Sequence, residues 1–249
     1  MPSPHQLRSG APARLAPLGG LALILGGALS IAGGVLHPVI EHESHSIAAA
    51  TQPAFPLAHL LLLIVGALLL IGLPAFYARI APRTPILGLV GFAMCALGNA
   101  AFIVPFAFYE TVIIPTLAAD PMTQAIVAPG GMLSSSLAFT LFQGLGAPLY
   151  LLGMLVLGIA AVRSRAVPTW AGVLLALAPI IVMVPVPETP VLTGLLIELP
   201  RGLAVVGVGW SLLAGEAPAA RPRPSPAGAT PPGPSRPLAA AVELGSPVA

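Results

Sequence analysis

Six long apolar runs constrain this chain more than any other feature of its sequence. A helix that crosses the hydrocarbon core of a bilayer needs about 20 mostly apolar residues, and five of the runs exceed that length, while the remaining one is shorter and contains Pro179. Only 7% of the 249 residues are charged, whereas a soluble domain carries about 25%, so the chain could not cover a water-facing surface. We therefore predict an all-α, polytopic membrane protein with six transmembrane helices, at residues 15–36, 57–78, 86–108, 137–162, 170–184 and 191–213. For the fifth of these, a tilted span and a re-entrant segment are both open.

The arginines predict which way these helices face. Lysine is absent, and all ten basic residues are arginine. With six spans, nine of the ten fall in the termini and loops of one side, and the three loops of the other side contain none. Because positive residues accumulate in cytoplasmic loops, both termini are predicted to be cytoplasmic, in a multi-pass protein of the bacterial cell membrane (the inner or plasma membrane). The nine are Arg8, Arg14, Arg79, Arg83, Arg163, Arg165, Arg221, Arg223 and Arg236.

The two ends of the chain are rich in proline and alanine. Their composition has no apolar periodicity and cannot bury a core, so a cytoplasmic N-terminal tail (1–14) and a disordered cytoplasmic tail (215–249) are predicted to flank a six-helix transmembrane domain (15–214). Three of the runs follow an arginine lead and end at a proline, as in "RTPILGLVG…IVP". This recurrence suggests three helical hairpins in the same orientation, although recurring positive-inside loops would produce it without a repeat.

Two charged residues lie inside the sixth apolar run. Glu198 and Arg201 are three residues apart, so a helix places both on one face, close enough to pair. Gly194 and Gly202 flank Glu198 at four residues on each side and leave room for a neighbouring helix or a ligand. Pro200 predicts a kink between the two charges. Because charges at membrane depth mark functional sites by default, the pair is either a self-neutralising structural feature or a site that shares one partner with a ligand or a proton.

Further polar residues fall in the same outer half of the predicted bundle. His37 ends the first run, and His59 lies near the outer start of the second. Asn99 and Gln143 lie on the third and fourth runs. A hydrogen bond between helices can satisfy each of them alone, but their shared depth predicts an outward-facing intramembrane polar pocket. Its candidate ligand-binding residues are Glu198, Arg201, His37, His59, Asn99 and Gln143.

The outer loop after the first run contains a second candidate site. His42 and His45 lie three residues apart beside two glutamates, and with His37 they form the spacing H-x4-H-x2-H. Imidazole and carboxylate ligands suit zinc or copper, so His42 and His45 are candidate metal ligands, with a solvated polar loop as the alternative. A second outer loop, residues 110–131, is long enough to lie over the pocket as a partial lid, or it has no such role.

The sequence limits the function without specifying a ligand, a cofactor or a reaction. No basic cluster with interleaved aromatic residues is present, so nucleic-acid binding is not predicted. P-loop, dinucleotide-binding, GxSxG and HExxH motifs are also absent from the sequence. The polar pocket favours binding or transport of a small or lipophilic ligand.

Three alternatives stay open beside that interpretation, and whether the chain is an enzyme is one of the open questions. A membrane-embedded enzyme that acts on a lipid or isoprenoid would use Glu198 as its acid or base. An accessory or structural subunit without a ligand would pack against a membrane partner through its small-residue faces. A haem protein would use His37 and His59 as axial ligands.

Overall fold

The computed structural model describes residues 10–215, with side chains from residue 15 onward. Within this range the chain is helical and forms no β-strand, which confirms the predicted all-α class. Two short helices, Ile47–Ala50 and Gln124–Val127, lie in the connections. The predicted tails beyond this range, at residues 1–9 and 216–249, lie outside the described residues. The long helices within it are α1 (Gly10–Leu36), α2 (Ala54–Ile80), α3 (Pro85–Ala118), α4 (Leu137–Ser164), α5 (Thr169–Val182) and α6 (Leu192–Leu213).

Five of these helices, all except α5, are long and apolar enough to cross a membrane. Their length and composition indicate a multi-pass membrane protein. Helix α5 is apolar but has only 14 residues, which corresponds to about 21 Å at 1.5 Å per residue, against about 30 Å of hydrocarbon. It ends at Val182, and three prolines follow within the next eight residues, at Pro185, Pro187 and Pro190. The helix does not continue through them, because proline cannot donate the backbone hydrogen bonds that a helix needs.

Helices α1 and α6 approach each other through facing glycines, a contact that we call the glycine seam. A Cβ built on Gly34 would lie 2.6 Å from the carbonyl oxygen of Gly194, so the two backbones touch and leave no room for a side chain. The residue numbers along the seam run in opposite directions, so the helices are antiparallel and the start of α1 lies beside the end of α6. The facing pairs are Gly20–Gly209, Gly27–Gly202 and Gly34–Gly194.

The other helices continue this antiparallel order. Helix α1 also packs on α2, α2 on α3, α3 on α4, α4 on α5, and α5 on α6, so that the series closes on itself at the glycine seam. All six helices contribute side chains to one buried apolar core. Helices α3 and α4 also meet through glycines, as at Gly98, where an added Cβ would lie 2.6 Å from the Cα of Tyr150. Small residues therefore determine the spacing of the whole bundle.

Helix α3 is longer than its sequence predicts. The predicted span ended at residue 108, and the predicted loop began at Glu110. Both predictions are wrong, because the helix continues to Ala118. Two prolines that would break a regular α-helix are accommodated by π-helical turns before them. The Val104 and Ile114 N–H groups each bond five residues back, and these wider turns absorb the backbone hydrogen bonds that the prolines cannot make.

The two ends of the bundle differ in composition. At one end, the Arg79 Nε donates to the Ala166 carbonyl oxygen at 3.0 Å and joins the last turn of α2 to the α4–α5 connection. At the opposite end, which we call the outer end, the two short helices pack against the ends of α2 and α3 around Phe55, Ile114 and Val127. This apolar outer cap contains part of the segment that the sequence assigned to a loop.

Candidate functional site

Glu198 and Arg201 form an ion pair on α6, and Ser30 of α1 completes it. An Arg201 Nη atom donates to the Glu198 carboxylate one helical turn away. The Ser30 hydroxyl donates to the same carboxylate oxygen, and Arg201 approaches the Ser30 oxygen at 3.2 Å. Ser30 and Glu198 are only 1% and 6% exposed, so these contacts compensate the removal of both charges from water.

The two charges of this pair face different parts of the bundle. The Arg201 guanidinium extends toward the centre, where it lies beside the Tyr150 side chain. Arg201, Tyr150 and Cys95 line a void of about 20 Å³ that is otherwise apolar. Glu198 instead lines a separate cavity toward the outer end. Arg201 therefore neutralises the carboxylate from the core side and leaves its other side available.

A tight turn positions the histidines of the first outer loop. Ile40 and Glu43 exchange backbone hydrogen bonds of 3.0 and 2.9 Å. The two residues between them have φ angles of 51° and 67°, the left-handed values of a type I′ turn. The turn reverses the chain, so that Ser44 and His45 return toward the ends of α1 and α2.

Glu188, in the connection before α6, fixes this loop from the other side. Its carboxylate accepts a hydrogen bond from the Ser44 N–H at 2.6 Å, and its carbonyl oxygen lies 3.0 Å from the His42 Nδ1. The His42 ring is exposed, and its hydrogen-bond partner is this Glu188 carbonyl group. The structure therefore does not bring His42 and His45 together as a pair of ligands.

A different set of imidazoles does come together at the outer end, where His45 joins His37 and His59, and we call these three the histidine cluster. His37 directly follows α1, His45 lies on the outer loop, and His59 is on the second turn of α2. One ring nitrogen of each lies within 4.8 Å of those of the other two. The Nε2 atoms of His37 and His59 are 3.2 Å apart. The Phe55 ring packs edge-on against His37.

Backbone carbonyl groups orient two of these rings. The His37 Nδ1 lies 3.2 Å from the Pro38 carbonyl oxygen, and the His59 Nδ1 lies 2.9 Å from that of Phe55. A carbonyl oxygen can only accept, so in the tautomer in which an Nδ1 donates to its carbonyl group the Nε2 of that neutral ring carries a lone pair. The 3.2 Å contact between the two Nε2 atoms accommodates either a shared proton on one of them or an ion bound by both.

This geometry does not fit the haem alternative. Axial histidines bind the iron from opposite faces of the macrocycle, so the porphyrin would have to pass between the two Nε2 atoms. At 3.2 Å the rings of His37 and His59 are in direct contact, and the Phe55 and His45 rings fill the space beside them.

A cavity of about 70 Å³ connects the histidine cluster with the ion pair. His37 and His45 line its outer part, and Glu198 lines its inner part. The walls also include Ser44 and Thr193. The cavity therefore has two imidazoles, a carboxylate and two hydroxyl-bearing residues on walls that are otherwise apolar and include Val39, Leu62 and Ile197. It holds a few water-sized molecules at most.

The imidazoles that lie outside the membrane-spanning helices are held in their neutral form. Burial lowers the pKa of His37, against the opposing effects of the Pro38 carbonyl and the Glu188 and Glu198 carboxylates. More than a third of His45 is exposed, yet the protein packed around its ring, followed by repulsion from His37, lowers its pKa as well. At neutral pH both rings can therefore bind a cation or donate and accept one hydrogen bond each.

The remaining two candidates of the predicted pocket lie elsewhere. Asn99 is fully buried in the α2–α3 contact, where its Nδ2 donates to the Gly66 carbonyl oxygen at 2.7 Å. Its Oδ1 has no hydrogen-bond partner among residues 10–215. Gln143 is exposed and lines an open, mostly apolar groove of about 910 Å³ between α4 and α5. Four of the six predicted residues are thus connected, and Asn99 and Gln143 are not part of that set.

Two polar residues near these groups were not among the sequence-derived candidates. Ser30 lies among glycines and alanines, so the sequence suggested only a packing surface. Glu110 was assigned to a loop, but it is 4% exposed on the second π-helical turn of α3. Its carboxylate makes no hydrogen bond or ion pair within the described part of the chain. The proline that produces this π turn was the one available signal.

No protein-family model matches the chain, and no curated protein or solved structure is significantly similar to it. The functional argument therefore depends on the site alone.

Proposed function

We propose that this membrane protein binds a small polar or ionic ligand in the cavity between the histidine cluster and the Glu198–Arg201 pair, and that the ligand enters from the extracytoplasmic side. The single observation that carries the proposal is that His37, His45 and Glu198 line one cavity. Few polar groups occur in an apolar bundle, and their convergence on one small space is the usual form of a ligand site.

The proposed orientation has six membrane crossings, with both termini in the cytoplasm of a bacterial cell. The arginine pattern supports it, and so does the antiparallel glycine seam, because an even number of crossings returns α6 to the side where α1 began. In this orientation α5 crosses despite its length, and the helical domain over residues 15–214 carries cytoplasmic tails at 1–14 and 215–249. The histidine cluster then faces the outside.

Ligand binding accounts for the site better than the two remaining alternatives. An embedded enzyme would need Glu198 as a free acid or base, but Arg201 and Ser30 both engage that carboxylate. An accessory subunit without a ligand would need only the glycine faces, and not a cavity lined by imidazole, hydroxyl and carboxylate groups.

Cysteine accessibility tests the proposal, because the native Cys95 is buried. Ile197 lines the cavity, whereas its neighbour Leu196 is 40% exposed on the outside of α6. We expect a membrane-impermeant thiol reagent added outside cells to label Ile197→Cys, and to label neither Leu196→Cys nor the wild type. Equal labelling of both variants, or labelling of Ile197→Cys only from the cytoplasmic side, would contradict the proposal.

A further inference from the structure

We infer that the histidine cluster binds a divalent transition-metal ion of the Zn²⁺ type, with His37, His45 and His59 as ligands and one coordination position open to the cavity. The inference rests on the proposed function, because it specifies the chemical class of ligand that the pocket takes. It differs from the site that the sequence suggested, since His42 has no part in it and His59 replaces it.

The main support is the way in which two imidazoles face each other. In the tautomer in which both Nδ1 atoms donate to the backbone carbonyl groups, the Nε2 lone pairs of His37 and His59 face each other across 3.2 Å. A metal ion bound by both lone pairs is compatible with this arrangement, whereas without an ion one of the two Nε2 atoms must carry a proton and donate it to the other. In a tetrahedral site with metal–nitrogen bonds of about 2.0–2.1 Å, two ligand nitrogens are about 3.3–3.4 Å apart. The observed spacing is close to that of two ligands on one ion.

The surroundings of the rings have the form that metal sites usually take. A histidine that binds a metal through one nitrogen generally donates its other N–H to a carbonyl or another acceptor, which fixes the ring. The Pro38 and Phe55 carbonyl groups serve His37 and His59 in this way. The Ser44 hydroxyl lies 2.9 Å from the His45 Nδ1 and can serve the third ring.

The third ligand needs only a small movement. The ring nitrogens of the cluster are within 4.8 Å of one another, so His45 must approach the other two by at most about 1.5 Å to reach tetrahedral spacing. Its exposed position on a loop permits that approach. His59, in contrast, is 2% exposed and held on α2, so two ligands are fixed in advance and the third closes on the ion.

The fourth position and the local charge also suit a cation. Three protein ligands with an open fourth position are typical of sites where the metal exchanges or binds a further molecule. That position faces the cavity of about 70 Å³, with Glu198 on its far wall. The Glu188 and Glu198 carboxylates both act electrostatically on His37, and Glu188, unlike Glu198, is not paired with an arginine in the described part of the chain.

Metal binding by the purified full-length protein tests the inference. The protein is prepared in detergent with an affinity tag that contains no histidine, stripped with a chelator, and titrated with Zn²⁺ against a fluorescent zinc indicator. We expect one Zn²⁺ per chain, and at least tenfold weaker binding in each of His37→Gln, His45→Gln and His59→Gln. The matched control is His42→Gln, which removes an imidazole from the same loop and should leave the affinity unchanged.

A second readout does not depend on how the variants fold. Co²⁺ bound to the wild type should give the intense visible absorption of a tetrahedral site with nitrogen ligands. Absence of stoichiometric Zn²⁺ binding, an octahedral Co²⁺ spectrum, or an equal loss of affinity in His42→Gln would overturn the inference. Labelling of Ile197→Cys is measured separately, so a pocket that is open but binds no metal leaves the proposed function standing, whereas an unlabelled pocket removes the proposed function itself.

Discussion

Gly34 of α1 packs directly against the side chain of Glu198 on α6. A Cβ built on Gly34 would lie 2.8 Å from both the Cβ and the Cγ of Glu198, and 2.6 Å from the Gly194 carbonyl oxygen. The glycine seam therefore does more than bring two helices together. It holds the buried carboxylate in place against the Ser30 hydroxyl and at the wall of the cavity.

Gly34→Ala should destabilise the protein, because the added methyl group meets backbone atoms that cannot move away. Overpacking of this kind reduces the free energy of unfolding by about 1–3 kcal/mol. The measurement is the melting temperature in detergent. Gly144→Ala is the matched control, since no atom lies within 4 Å of its Cβ position on α4, and alanine favours a helix over glycine. A melting temperature that falls equally in both variants would argue against a tight seam.

Glu198→Gln should be more harmful than the double change Glu198→Gln with Arg201→Gln. The single change leaves a buried guanidinium without its counter-ion, for which comparable broken pairs lose about 3–5 kcal/mol. The double change removes both charges. Melting temperatures of the wild type, both single variants and the double variant form a complete cycle. Additive losses would mean that the two side chains do not interact.

Two buried glutamates should respond in opposite ways to the same substitution. Glu198 has Arg201 and Ser30 as partners, whereas Glu110 has none among residues 10–215. Because burial of an unpaired carboxylate is unfavourable, Glu110→Gln should preserve or raise the melting temperature, while Glu198→Gln lowers it. A loss at Glu110 as large as that at Glu198 would show that Glu110 binds a partner outside the described residues.

Reporter fusions should place the connections on alternate sides of the membrane. Fusions after Arg83 and Ala166 are expected to be cytoplasmic, and fusions after Asp120 and Glu188 extracytoplasmic. The comparison of Ala166 with Glu188 is the sharpest, because only α5 lies between them. If both fusions report the same side, α5 does not cross the membrane, and the six-span orientation is wrong.

The sequence predicts much of this fold because the thickness of the bilayer sets the length of the apolar runs that cross it. The five long helices follow from it. The end of α3 does not, because the usual expectation that proline ends a helix fails where a π turn precedes the proline at Pro105 and Pro115. The brevity of α5, by contrast, does follow from the sequence, since the predicted run at residues 170–184 has 15 residues and the helix has 14.

The candidate site is less accessible to sequence reasoning, since it depends on contacts between distant segments. The spacing of Glu198 and Arg201 indicates their pairing, because both lie on one helix. It cannot indicate Ser30, which lies 168 residues from Glu198. The histidines show the same limit, because the short spacing of His42 and His45 drew attention to neighbours in sequence, whereas the turn at Ile40–Glu43 sends one of them outward and brings the other to His59.

The glycine seam has a consequence for how the protein is made. The ribosome completes α1 at Leu36 but does not begin α6 until Leu192, so 156 residues (192 minus 36) separate the two faces of the seam. At about 5–20 residues per second, that interval lasts roughly 8–30 s, during which Ser30 and the glycine face of α1 lie open in the bilayer. Only a chain synthesised through α6 can cover them. The face of α1 is therefore exposed only in a chain that is still incomplete. The insertion and degradation machinery of the membrane can use this exposure to distinguish an incomplete chain from a complete one.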